Sequence, residues 1–220
     1  LSSSLAARAI NVAARDDRGV RDAELADLVE RARNLTKASG RAILGITGPP
    51  GAGKSTLARA LVQRIPDAVL VPMDGFHRTT ADLERHGWVP ERGTPRTFDR
   101  DGYVALLHRL RSDRGPTRAP DFDRSREEPV PDAIDVAAAT ALVVTEGNYL
   151  LLWPEAAAAC DEVWFVDPPE DERIERLIRR HIEFGRTRSD ARDRAERGSD
   201  AANARLVRAT RDQADLVVPG

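Results

Sequence analysis

Cysteine occurs once in this 220-residue chain, at Cys160, so no internal disulfide is open to it. A chain without such cross-links is expected in a reducing compartment, which makes the cytoplasm the expected location and Cys160 a packing residue. Apolar runs are short: none approaches the roughly 18 residues that a membrane span needs, and no signal-peptide pattern opens the chain. The four histidines and the one cysteine show no zinc-ligand spacing. Excess charge is missing as well. With a formal net charge of −2, nothing marks the chain as a binder of nucleic acid or of a membrane surface. Lysine is nearly absent, since of 34 basic residues only Lys37 and Lys54 are lysine. The rest are arginine, a bias of GC-rich coding, so a single arginine means little by itself.

What remains is a chain with 41% hydrophobic residues and the length of one generous domain. The most informative stretch is GPPGAGKST at 48–56. Gly48, Gly53, Lys54 and Ser55 satisfy the phosphate-binding G-x-x-x-x-G-K-[ST] pattern, with Pro49, Pro50, Gly51, Ala52 and Thr56 completing the loop. The apolar run RAILGIT before it reads as a buried strand, and STLARALVQRI after it has helical spacing. Successive backbone N–H groups of such a loop point at a phosphate, and the helix N-terminus adds partial positive charge. Lys54 would bring a compact cation to the outer phosphates of ATP, and the Ser55 hydroxyl is suited to Mg²⁺.

Further buried strands are expected at 68–72, 141–145, 162–166 and 215–218, alternating with helices near 101–111, 169–184 and 201–212. That alternation implies a parallel sheet covered on both faces. Residues 1–40 read as an alanine-rich helical extension packed on a domain spanning 41–220, with the 23–37 helix ended by Ser39-Gly40. Stretches 78–99 and 112–140 lack periodicity and read as long loops, of the kind that form substrate walls. In open α/β sheets ligands lie off the carboxyl ends of the strands. Asp74 follows the second strand there, and Glu146 follows the third. One carboxylate can help Ser55 hold Mg²⁺ while the other acts as base on an acceptor hydroxyl. His77 is a candidate acceptor contact. Arg176, Arg179, Arg180, Arg186 and Arg188 are candidates for an arginine-rich lid, about 185–198, that stabilises the charge of transfer. His86, His108 and His181 read as surface or packing residues.

Taken together, these residues resemble the phosphoribulokinase, uridine kinase and pantothenate kinase superfamily of P-loop kinases over roughly residues 41–219. The resemblance rests on GPPGAGKST, MDGFH at 73–77, RGTPRTFD at 92–99, APDFDRSREEP at 119–129, VVTEGNYLL at 143–151 and RLIRRHIEFGRT at 176–187. It is nearest to bacterial nucleoside or nucleotide kinase-like proteins, some called fructose transport system kinases. Their late asparagine-rich segment is similar to SDAANARLV at 199–207, which holds Asp200 and Asn203. The resemblance implies a three-layer P-loop NTPase fold with a five-stranded parallel sheet, flanking helices and a lid. It implies Lys54 on the phosphates, Ser55 and Glu146 at the metal, Asp74 as general base, and Arg180 and Arg186 as lid arginines. Arg92 and Asp99 lie in a stretch that implies acceptor contacts. Phe122 stands where uridine kinases carry a tyrosine against the base, with Asp123 following as there.

The expected activity is transfer of the γ-phosphate of ATP, with Mg²⁺, to a hydroxyl of a small metabolite: a nucleoside, a pantothenate-like acid or a sugar. A homodimer is an assembly the resemblance leaves open. The competing expectation is a P-loop NTPase that acts as a regulatory switch. Such a switch needs a water-positioning residue and loops that answer to the γ-phosphate, where this chain offers long acceptor walls.

Overall fold

The structure is a computed structural model that describes residues 22–113 and 115–220. The first half of the expected helical extension, residues 1–21, lies outside the described residues. Helix α1 (Asp22–Ser39) is followed by β1 (Ala42–Thr47), α2 (Lys54–Arg64) and β2 (Ala68–Pro72). Next come α3 (Thr80–His86), α4 (Arg100–Ser112) and a pair of strands, β3 (Thr117–Asp123) and β4 (Glu128–Val136). The chain continues through β5 (Leu142–Glu146), α5 (Pro154–Ala159), β6 (Glu162–Val166) and α6 (Glu170–Glu183), then α7 (Arg188–Glu196), α8 (Ser199–Arg208) and β7 (Leu216–Val218).

Every short apolar run expected as a strand is one. They form a five-stranded sheet in the order β2-β5-β1-β6-β7, parallel throughout. Because successive side chains of a strand point to opposite faces, the runs divide cleanly between two cores. Leu44, Ile46, Leu142, Val144 and Trp164 meet Leu57 and Leu61 of α2 and Leu25, Leu28 and Ala32 of α1 on one face. Ile43, Val143, Val163 and Phe165 meet Tyr103, Leu107 and Leu110 of α4 and the short helix α5 on the other. Burial on both faces is why these strands read as continuous apolar runs rather than alternating ones. Helix α1 is tied on by Arg31, which donates to both carboxylate oxygens of Glu162 at the start of β6 (2.8 and 3.1 Å).

The expectation of loops over 78–99 and 112–140 is corrected in part. Residues 78–99 hold α3, which Thr79 caps by accepting from the Asp82 N–H, and two 3₁₀ turns. Residues 112–140 hold the antiparallel β3–β4 hairpin. Pro120, Pro129 and Pro131 together with many charged residues hide the hairpin from a search for apolar alternation. The arginine-rich 185–198 stretch is also ordered as helix α7. Its buried face is only Ala191 and Ala195, set against Leu177 and Ile178 of α6, so it carries almost no apolar signal. Cys160 is half-buried and hydrogen-bonds the Ala156 carbonyl, and burial pushes its thiol up to about 12, away from thiolate chemistry.

Candidate active site

The sheet register brings the candidate groups together. Ile46 at the end of β1 lies opposite Glu146 at the end of β5, and Glu146 lies opposite Pro72 at the end of β2. Three carboxyl ends therefore open side by side at one edge. Beyond β1 the phosphate-binding loop turns into α2, with Gly53 at the helix N-cap. Beyond β2 a 3₁₀ turn, Met73–Phe76, carries Asp74. A cleft of about 350 Å³ lies over this edge, lined by Pro50, Gly51, Lys54, Ser55, Asp74, His77 and Glu146 among others. The remaining loop residues Gly48, Pro49, Ala52, Gly53 and Thr56 shape the turn without lining the cleft.

Helix α6 holds the loop in place from behind. Gly51 has φ +83°, and a Cβ there would stand 2.7 Å from Leu177 Cγ and 2.8 Å from the Arg173 carbonyl oxygen. Both the backbone conformation and the close approach thus require glycine. Arg173, fully buried, donates from Nη1 to the Pro50 carbonyl (3.0 Å) and from Nε and Nη2 to Glu170 (2.8 and 2.6 Å). The neighbouring Arg176 reaches the Ala52 carbonyl from Nη1 at 3.5 Å. These two arginines brace the loop, a task distinct from a lid.

Lys54 is buried with Nζ 3.1 Å from the Pro49 carbonyl. Burial pulls its pKa down to about 8, against the opposing pull of Glu146 and Asp74. Ser55 Oγ donates to Glu146 Oε1 at 2.8 Å. The Glu146 carboxyl is pushed up by burial and by the charge of Asp74, with Lys54 and Ser55 working the other way. A buried carboxylate short of positive charge, hydrogen-bonded to a hydroxyl, supplies the hard oxygen donors that suit Mg²⁺. Among the described residues no group of three or more His, Cys, Asp or Glu could hold a metal by itself. Mg²⁺ commonly takes one or two carboxylates and completes its shell with substrate phosphates and water, so the donor set fits.

Asp74 Oδ2 accepts from Arg124 Nη2 at 2.9 Å, and the Asp74 carbonyl lies 2.9 Å from His77 Nδ1. His77 packs between Phe98 and Phe122 with tilted rings, centroids 3.9 and 4.6 Å away, and all three line the cleft. Burial lowers the His77 pKa, so the ring is an uncharged wall at neutral pH. Arg92 also lines the cleft, fixed by donating to the Glu127 carbonyl and to Thr80 Oγ1, both at 2.8 Å. On the far side stand Arg180, whose burial lowers its pKa, and Arg186. Arg180 makes no hydrogen bond or ion pair through its side chain among the described residues, which leaves a guanidinium with its donors open beside Lys54 and Asp74.

Two expected acceptor residues do not line the cleft. Asp99 is the N-cap of α4, its Oδ1 accepting from the Gly102 N–H at 3.1 Å. Asp123 Oδ1 accepts from the Ser125 N–H and hydroxyl and from the Arg126 N–H, forming the turn of the hairpin. In both, nearby backbone donors capture the carboxylate before it can reach a ligand. Arg179 and Arg188 are exposed and also outside the lining.

Conversely, the cleft includes Arg124, Glu127, Asn148, Arg194, Asp200 and Asn203, and His181, which was expected as a surface or packing residue. Asp200 accepts from His181 Nε2 at 2.7 Å, with Arg194 Nε 3.5 Å away. Burial works against the Asp200 charge, but His181 and Arg194 outweigh it and hold the pKa below the usual value. Asn203 Nδ2 donates to the Gly93 carbonyl (3.0 Å), tying α8 to the acceptor-side wall. Arg194 lies outside every family-like stretch; Arg124, Glu127, Asn148, His181, Asp200 and Asn203 lie inside such stretches, which by themselves gave none of them a role at the site.

Comparison with known proteins gives consistent findings. The model of the Phosphoribulokinase / Uridine kinase family matches residues 43–220. The chain is 38% identical over 189 residues to the uncharacterized protein YggC of Escherichia coli, covering 81% of this chain and 77% of that one. It is 33% identical over 211 residues to a Schizosaccharomyces pombe protein named "Putative uridine kinase", covering 87% and 88% respectively. Among solved structures, a "putative fructose transport system kinase" of Silicibacter sp. superposes with a TM-score of 0.79 at 35% identity, over 89% of this chain and 98% of that one.

Proposed function

The chain belongs to the phosphoribulokinase/uridine kinase family of P-loop kinases, and from that premise we propose that it transfers the γ-phosphate of ATP to a hydroxyl of a small metabolite. The observation that carries this reading is the convergence of Lys54, the Ser55–Glu146 pair and Asp74 on one cleft edge, opposite an aromatic and arginine-bearing wall. The loop N–H groups and Lys54 hold the outer phosphates, while Ser55 and Glu146 hold Mg²⁺. When bound, the ion neutralises charge on the phosphate oxygens. Asp74 orients the acceptor hydroxyl and takes its proton as the oxygen bonds to the γ-phosphorus. The bond from that phosphorus to the bridging oxygen breaks, and ADP leaves. Arg180 and Arg186 stabilise the negative charge of the moving group. His77, Phe98, Phe122 and Arg92 form the acceptor wall.

The depth of that wall favours a metabolite kinase over a regulatory switch: the segment at Arg92 and Gly93, the β3–β4 hairpin and α8 all line the cleft, and Asn203 ties α8 to that segment at the Gly93 carbonyl. The test follows from the base. Asn at 74 keeps the size of the side chain but cannot take a proton. Asp74→Asn is expected to bind ATP·Mg²⁺ nearly normally and to lose roughly 10²–10⁴-fold in transfer. An ADP-release screen of the wild type against a metabolite library identifies the acceptor. Transfer at the wild-type rate by Asp74→Asn would remove Asp74 as base and leave Glu146 in its stead.

A further inference from the structure

Resting on the reading above, one contact is at odds with catalysis as drawn. The group assigned to take the acceptor proton, Asp74, is ion-paired through Oδ2 to Arg124 Nη2 at 2.9 Å. A carboxylate oxygen that already accepts from a guanidinium is occupied where an acceptor hydroxyl would have to donate. Arg124 sits at the tip of the β3–β4 hairpin, half exposed (47%), so it can swing without unpacking the core. It cannot simply let go. Its partner would be lost in a wall that already holds Arg92, and the Arg92 charge is itself compensated only loosely, by Glu127 in a long ion pair and by Glu128 through space. The short bonds of Arg92 go to a carbonyl and a hydroxyl, and its nearest carboxylate, on exposed Glu127, is 3.8 Å away. Both guanidiniums stand close enough to His77 to disfavour charge on that ring. Two arginines on a partly apolar wall form a place for an anion.

We propose that the acceptor is an anionic metabolite whose carboxylate or phosphate group draws Arg124 off Asp74, with Arg92 as its second contact, so that recognising the acceptor also frees the base. The hydroxyl to be phosphorylated then lies against Asp74, and the non-ionic part of the acceptor lies against His77 and Phe122. A neutral compound could enter the cleft but would leave Asp74 paired. In the absence of acceptor the same pair suppresses hydrolysis of ATP by water, since the base stays masked.

The experiment measures ADP release with matched pairs of compounds: glycerol and glycerate, ribose and ribose 5-phosphate, uridine and uridine 5′-monophosphate. In at least one pair the anionic member is expected to give a kcat/KM at least about tenfold above its neutral partner. The glycerate and phosphate arms distinguish a carboxylate from a phosphate. Arg124→Gln is expected to abolish that preference and to raise acceptor-free ATP hydrolysis severalfold, because Asp74 is unmasked; Arg124→Lys should fall between. Neutral members working as well as charged ones, or Arg124→Gln keeping the preference, would overturn the proposal. If no compound stimulates turnover, acceptor-free hydrolysis decides: a rise in Arg124→Gln supports the masking contact, and an unchanged rate refutes it. Failure of the kinase reading itself looks different, as hydrolysis that persists undiminished in Lys54→Ala.

Discussion

Arg173→Met tests whether the phosphate loop is held in shape from behind. Met keeps most of the unbranched stem in its pocket and removes the guanidinium. The Arg173 side chain is 1% exposed, so the Pro50 carbonyl that accepts from Nη1 loses a charge-assisted bond with little water to replace it. Bonds of that kind contribute about 1.5–3 kcal/mol. The pair with Glu170 adds little, since that carboxylate is 47% exposed and screened. Glu170 also keeps Arg208, whose Nη1 lies 2.7 Å from its Oε2. Relief from burying the guanidinium offsets part of the loss, leaving a net cost of about 2 kcal/mol. For a domain of this size that lowers Tm by about 4–8 °C. If the lost energy all favoured a misplaced loop, the binding-competent fraction would fall and ATP affinity would drop by up to about 30-fold. Thermal unfolding and titration calorimetry with ATP·Mg²⁺ measure the two effects. Arg179→Met, on the exposed face of the same helix, controls for helix propensity. If both variants melt within 2 °C of each other, roughly the scatter expected of a neutral surface change, and bind ATP alike, the bracing role is wrong.

Three further outcomes are expected. Lys54 has its pKa lowered to about 8 by burial, so the free enzyme loses that charge as pH rises through 8. kcat/KM for ATP should then fall about tenfold per unit above it, while kcat stays flatter because bound phosphates restore the proton; a flat kcat/KM to pH 9.5 would contradict this. The stability contribution has the opposite sign: the folded state gives up the proton more readily than the unfolded one, so the penalty of burying a charged Lys54 is relieved between pH 8 and the unfolded value near 10.5. Arg180→Met should cut kcat by about 10²-fold with ATP affinity changed only a few-fold. Arg179, exposed on the same helix, is the control; equal losses in the two variants would leave Arg180 without a special role. In Gly75→Ala the new Cβ would stand 2.4 Å from the Pro120 carbonyl oxygen, forcing the hairpin off the Asp74 turn. The acceptor KM should rise about tenfold or more, at an overpacking cost of about 1–3 kcal/mol, with ATP binding kept; an unchanged acceptor KM would show that the hairpin does not shape the acceptor site.

The amino-acid sequence by itself determined the sheet and the chemistry at its edge. Five apolar runs specify strands, the central three buried on both faces, and GPPGAGKST specifies a backbone that can bind phosphate whatever surrounds it. Asp74 and Glu146 were legible because a residue at or just past the carboxyl end of a parallel strand has few places to go. That Ser55 and Glu146, 91 residues apart, meet at 2.8 Å was decided by the pairing of β1 with β5. Only the tertiary structure divided the arginines. Arg173 and Arg176 turned inward to the loop because α6 packs its buried face there, whereas Arg179 on the same helix faces water. Asp99 and Asp123 show the converse limit. Both sit in stretches that promise acceptor contacts, yet backbone donors two or three residues away reach their carboxylates first. Arg194 carries no local mark, and Arg124, His181 and Asp200 lie in family-like stretches that do not announce their roles. They belong to the site because the hairpin, α6, α7 and α8 close over one strand edge, and polar residues on such elements acquire meaning only from what the fold sets opposite them.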